Sequence, residues 1–196
     1  MQETTFWEYI DLINHVDTEG LNTREKEDYQ VYLIKRKLIK QDFKETLGFH
    51  RIFSKKLYEL FLPALAEVFM VSWCKYEKLK EGNAYISNDG FKDFRSWIIG
   101  LGREEFEKFK TYENEVDFLK YDLNSDNAYR EDLEYIIVEL YEEFKKRVKD
   151  KNQLKEIYEK KYKFSYDRDY QLDLNDKIDW VNINKKYPKF LKKNEN

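Results

Sequence analysis

Twenty residues, Ser87 to Phe106, constrain this chain more than any others: they hold a turn, an aromatic helix, a glycine stop and a second helix start in succession. Ser87, Asn88 and Asp89 each carry a side-chain oxygen that can accept a free amide at a helix N-terminus, and Gly90 tolerates a close bend. Phe91, Phe94, Ile98 and Leu101 then share one helix face at three-and-four spacing, with Trp97 beside them. Gly100 and Gly102 are expected to stop that helix, since glycine enters the left-handed region without a steric penalty. A second helix is expected near Arg103. Glu104 and Glu105 suit the positive end of its dipole, and Phe106 and Phe109 turn inward.

Arg95 breaks the apolar pattern. Four residues after Phe91 and three before Ile98, it lies on or beside the stripe, where an unpaired guanidinium is very costly. A carboxylate partner is therefore expected, Asp89 or an acid on the later helix such as Glu134. The plainer reading of Arg95 is an ion pair that sets helix packing. The sharper one is a pocket in which Asp89, Arg95 and Arg103 converge with Trp97 as a wall, suited to a phosphate or carboxylate ligand. Phe91, Phe94, Gly102 and Phe106 are read as structural under both.

The order S-x-D-G-F-x-x-F-R-x-W-x-I-x-x-G-R-E-x-F across 87–106 resembles a bacterial family known as domain of unknown function 4240. Phe6-Trp7-Glu8-Tyr9-Ile10 is similar to that family's opening. Glu131-Asp132-Leu133-Glu134 through Tyr141-Glu142-Glu143 is similar to its acidic, aromatic helix, and Asp179-Trp180 with Tyr187-Pro188-Lys189-Phe190 to its ending. The likeness spans almost the whole chain and is weak across 20–60. Two departures stand out. Family members usually carry small residues, a glycine pair and a cysteine before the serine, where this chain has Glu81-Gly82-Asn83-Ala84-Tyr85-Ile86. Asn88 stands where the first acid would be. The resemblance implies a fold and a bacterial origin, and no established activity.

Independently of any family, 38% charged residues with only 2 prolines and 6 glycines favour long helices over strands and turns. With 16 tyrosines and 14 phenylalanines, aromatic rings must fill much of the core. The expected fold is all-α: a single domain over 1–191 of about six or seven packed helices, with an irregular C-terminal wrap and a frayed tail at 192–196. Thr5 and Glu8 read as a capping box for the first helix. Asn22 or Thr23 opens a long charged one, and Gly48 interrupts the pattern. An apolar stretch from about Ser54 to Lys80 contains Pro63, which should kink it or begin a new helix. Further helices are expected at about 127–149, capped by Asp126 or Asn127, and at 152–161. One or two turns at 182–187 should stop at Pro188, with Trp180, Tyr187 and Phe190 pinning the wrap.

Several functions are disfavoured. A net charge of −3 provides no positive field for nucleic acid; the lysine clusters at Lys35-Arg36-Lys37-Lys40 and around Lys185-Lys186-Tyr187-Pro188-Lys189 with Lys192 and Lys193 read as solubilising, with weak nucleic-acid binding through them a minor alternative. One cysteine, Cys74, excludes an internal disulfide framework and fits a reducing cytosol. No signal peptide and no membrane-length apolar run stand out, so a cytoplasmic location is expected. His15 and His50 show no metal-ligand spacing with each other or with Cys74, and no phosphate loop, nucleophile elbow or dinucleotide fingerprint occurs, so no cofactor or metal is expected. Asp89 and Asp93, one turn apart with Asn88 alongside, are the acids that invite an acid/base or ion-binding hypothesis, set against simple capping. The leading expectation is a non-enzymatic module that binds another protein, immunity- or accessory-like. The alternative is an enzyme acting on a small anion at Asp89, Arg95 and Arg103.

Overall fold

In the computed structural model, which describes residues 1–76, 87–111, 120–121, 123, 128–166 and 183–187, helix follows helix. They are α1 (Glu3–Ile10), a 3-10 segment (Asp11–His15), α2 (Thr23–Leu38), α3 (Phe43–Glu59), α4 (Pro63–Tyr76), α5 (Asn88–Gly100), α6 (Arg103–Lys110), α7 (Asp132–Arg147), α8 (Lys151–Tyr166) and the single turn α9 (Ile183–Lys186). No strand occurs among the described residues, and the fold is all-α. Eight of these helices have two turns or more, where six or seven were expected. The surplus comes from Pro63, which is the first residue of α4 and separates it from α3. Proline fits there because the first helical amide has no intrahelical acceptor.

The helix starts are chosen by short polar side chains. Asn22 caps α2 by accepting the Glu25 amide at 2.9 Å, while the Asn22 amide donates to the Glu25 carboxylate at 2.8 Å, a complete capping box. Asp42 caps α3 through the Glu45 amide at 2.9 Å. Ser87 opens α5 by accepting the Gly90 amide at 3.0 Å. The box expected at Thr5 and Glu8 does not form, because α1 begins at Glu3 behind Gln2 and both residues lie inside it. Asp126, Asn127, Trp180, Pro188, Phe190 and the tail lie outside the described residues.

Gly48 was expected to interrupt a helix and instead sits within α3. A Cβ there would come within 2.8 Å of the Met1 Cβ, so the residue makes room for a neighbour rather than for a bend. Of the two expected helix-stop glycines only Gly102 has a positive φ, +99°. Gly100 is the last helical residue of α5.

α5 lies at the centre of the core. Phe91, Phe94, Ile98 and Ile99 are buried, and Phe69 of α4 meets Phe91 and Phe94 at 5.7 and 5.5 Å between ring centres. Trp97 stacks on Phe94 and stands edge-on to Phe109 of α6, each at 5.8 Å. Phe6 and Trp7 of α1 close another side against Phe49 (4.9 Å) and Phe106 (5.1 Å). Tyr141 of α7 stacks on Tyr158 of α8 at 4.1 Å, with Phe43 of α3 against both rings. The Tyr187 hydroxyl donates to Glu67 at 2.9 Å and fastens the segment around α9 to α4. α2 and α7 run parallel: Arg130 reaches Glu27, Lys35 pairs with Glu139, and Arg147 reaches Ile39 in ascending order.

Candidate functional site

Arg95 lies inside the packing, 1% exposed. Its Nη1 donates to the Leu57 carbonyl at 2.8 Å and its Nε to the Phe91 carbonyl at 3.3 Å, with the rings of Phe91 and Phe61 4.8 and 5.0 Å away. Leu57 is in the last turn of α3, where carbonyls lack helical partners and the dipole is negative. A guanidinium there answers both needs, and the two ring faces add cation–π attraction. Among the described residues no ion pair joins Arg95 to Asp89 or to Glu134, the acid named as an example on the later helix. Glu134 takes Lys92 at 2.9 Å, and Asp89 is exposed on the first turn of α5.

The other signature residues separate. Trp97 is buried among aromatic rings, and Arg103 is exposed at the start of α6. A Cβ on Gly102 would come within 2.5 Å of Asp11 Oδ1. Burial raises the Asp11 pKa, while His15 and Arg103 pull against it. Phe91, Phe94 and Phe106 are core residues, as their spacing implied. Asp89, Arg95, Trp97 and Arg103 thus occupy different environments, with Arg95 enclosed and Arg103 outside.

A second buried arginine organises the molecule, and sequence reasoning missed it. Arg130, 2% exposed, forks onto Asp132 with two 3.0 Å bonds, donates to the Glu27 carbonyl at 3.2 Å, and donates to the Gln30 side-chain oxygen. Gln30 in turn donates to the carbonyls of Ile10 (2.7 Å) and Gly100 (2.9 Å). A Cβ at residue 100 would come within 2.5 Å of Arg130 Nη1, which explains that glycine. Burial pushes the Glu27 carboxyl up to about 7, against the attraction of Arg130. The signal was present: Glu27 and Gln30 fall on the same α2 face as Val31, Ile34 and Leu38, and polar groups on an apolar face need partners.

Lys56 is a third enclosed cation, 3% exposed. It pairs with Glu3 at 2.7 Å and Glu59 at 3.1 Å beside the rings of Trp7 and Phe106, tying α1, α3 and α6 together. The hydrogen bond from Lys56 holds Glu3 below its ordinary carboxyl pKa. His50 is buried, and burial pushes its pKa down to about 4.

Where the first half of α5 meets the start of α7, acids collect. Asp93 is 9% exposed, and its carboxyl is pushed up to about 7 by burial first and then by Glu134, Glu131 and Asp89, with Lys92 opposing. The Arg130 amide donates to the Asp93 carbonyl at 3.2 Å, which holds the chain before α7 against α5. Tyr135 stands half exposed beside these groups, its own pKa raised chiefly by Glu131. Asp89 and Asp93 thus share an electrostatic neighbourhood with Glu131 and Glu134, Asp89 exposed and Asp93 and Glu134 buried.

Among the described residues no three His, Cys, Asp or Glu side chains are placed to hold a metal ion. No described helix is long and apolar enough to cross a membrane. Of the basic clusters, Lys35 is paired with Glu139 and Lys186 with Glu67, and Lys189, Lys192 and Lys193 lie outside the described residues.

No curated protein and no solved structure matches this chain. The family described as "Protein of unknown function (DUF4240)" matches residues 1–143, from α1 into α7, and the chain belongs to that family.

Proposed function

We propose that this chain works by binding another protein, as an immunity- or accessory-like module of the bacterial cytosol, and not by catalysis. One observation carries the reading. The guanidinium of Arg95 and the rings of Phe91, Phe94, Trp97 and Phe106 are spent on internal packing, while Tyr32, Tyr58 and Tyr135 stand 49%, 59% and 50% exposed on charged helices. Tyrosine offers a large contact area with little rotamer freedom to lose, and interface anchors are enriched in it. The charged residues around each ring suit the polar rim of such an interface and discourage unselective sticking.

The test is recovery of a stoichiometric partner on a tagged chain expressed in its native host, repeated with Tyr32→Ala, Tyr58→Ala and Tyr135→Ala. These side chains are exposed, so each variant should keep the wild-type melting temperature within a few degrees. At least one should lower recovery about tenfold or more, the effect of losing an interface anchor worth roughly 2 kcal/mol. Absence of any stoichiometric partner overturns the reading, as does full recovery by all three variants.

A further inference from the structure

The acidic surface between α5 and α7 contains a carboxylate whose placement the fold alone does not explain. Asp93 is nine-tenths buried, and among the described residues its side chain makes no ion pair and accepts no hydrogen bond. An enclosed carboxylate normally has partners, and a native one without them calls for an explanation. The groups facing it are Asp89 and Lys92 from α5 and Glu131, Glu134 and Tyr135 from the start of α7. Among the described residues four carboxyl groups, of Asp89, Asp93, Glu131 and Glu134, and one ammonium, of Lys92, share this electrostatic neighbourhood, and Glu134 engages Lys92 at 2.9 Å. Tyr135, half exposed, stands near enough for its hydroxyl to feel the charges of Glu131, Glu134 and Asp93.

We propose that this α5/α7 surface receives an arginine side chain from a partner protein, the guanidinium bonding to Asp93 within the acidic cluster and lying against the ring of Tyr135. The inference rests on the protein-binding reading above and gives it a location. A guanidinium fits better than a metal ion, since no three acids among the described residues converge as ligands. It fits better than an ammonium, since its planar fork bonds carboxylates side-on while its face stacks on an aromatic ring. Docking would supply the opposite charge that Asp93 lacks and hold it ionised, so binding should strengthen as pH rises through neutrality.

The experiment titrates the full chain with N-acetyl-arginine amide, with N-acetyl-lysine amide and sodium chloride as controls at equal ionic strength. It follows backbone amides and the Asp93 carboxyl carbon by NMR. Arginine should move resonances of residues 89–93 and 131–135 selectively and lower the Asp93 midpoint by about one pH unit or more, the scale of a nearby opposite charge. Asp93→Asn should abolish the response with the fold retained, and Tyr135→Ala should weaken it severalfold. No response at these residues overturns the proposal, and so does an equal response to lysine or to salt, or one undiminished in Asp93→Asn. The two readings fail differently. A partner recovered equally well by wild type and Asp93→Asn leaves protein binding intact and removes this surface as its site. An arginine response without any co-purifying protein removes the protein as the source of the guanidinium.

Discussion

Two arginines of the signature, eight residues apart, answer to different physics. Arg95 is enclosed, with its guanidinium against the carboxyl end of α3 and two phenylalanine rings; Arg103 reaches solvent at the head of α6. Truncating Arg95 to alanine opens a cavity and strands the Leu57 carbonyl, so Arg95→Ala should lose about 3 kcal/mol of stability in urea titration. Arg103→Ala should stay within about 0.5 kcal/mol of wild type. Equal, small effects at both positions would remove the assignment of Arg95 to the scaffold. The contrast also marks what could be read from residue types. That Arg95 needed a partner followed from its position on an apolar stripe. That the partner would include a helix terminus did not, because α3 and α5 meet 38 positions apart in sequence and no local pattern encodes such a meeting.

At the scale of elements, the legible starts and stops were those made by local chemistry: the Asn22 cap, Ser87, Pro63 as a first helical residue, and the positive φ of Gly102. Gly48 and Gly100 were misread for one reason. Each is glycine because a distant group presses on it, Met1 in one case and Arg130 in the other, and proximity of that kind is a tertiary fact. α8 shows the same limit from another side. It extends five residues beyond its expected end at Lys161, while pairs such as Lys155–Glu159 and Lys160–Glu156 support its earlier turns and Tyr158 attaches it to α7. Tyr158→Ala should therefore release α8 selectively. Hydrogen exchange should quicken at 154–160 by about tenfold or more while α2 and α5 keep their protection, as a loss of roughly 1–2 kcal/mol at one seam implies. Uniform acceleration across all helices would show that α8 is not a separable layer.

For the whole molecule, the buried titratable groups set a pH dependence with a definite sign. Glu27 and Asp93 have folded values near 7, above ordinary carboxyls, so the folded state holds more protons than the unfolded one. Their contribution is complete below about pH 4 and is lost as pH rises through 7. His50, lowered to about 4, works oppositely: its contribution is present above the ordinary value of 6.5 and is lost as pH falls toward 4. The two effects oppose each other between 4 and 6.5, and above that only the carboxyls continue to act. Urea midpoints should fall from pH 6.5 to pH 8, and Glu27→Gln should flatten that decline. A midpoint that rises over this range would contradict the assigned burial of both carboxyls.

The Gln30 side chain has a consequence of its own. One amide group joins the end of α1, the end of α5 and the residue leading into α7, and it does so from the middle of α2. Detaching any one of these segments strands donors or acceptors on the others, away from water. Partial melting is thereby discouraged, and four stretches of chain that are remote in sequence are bound to a common fate: they open together or not at all.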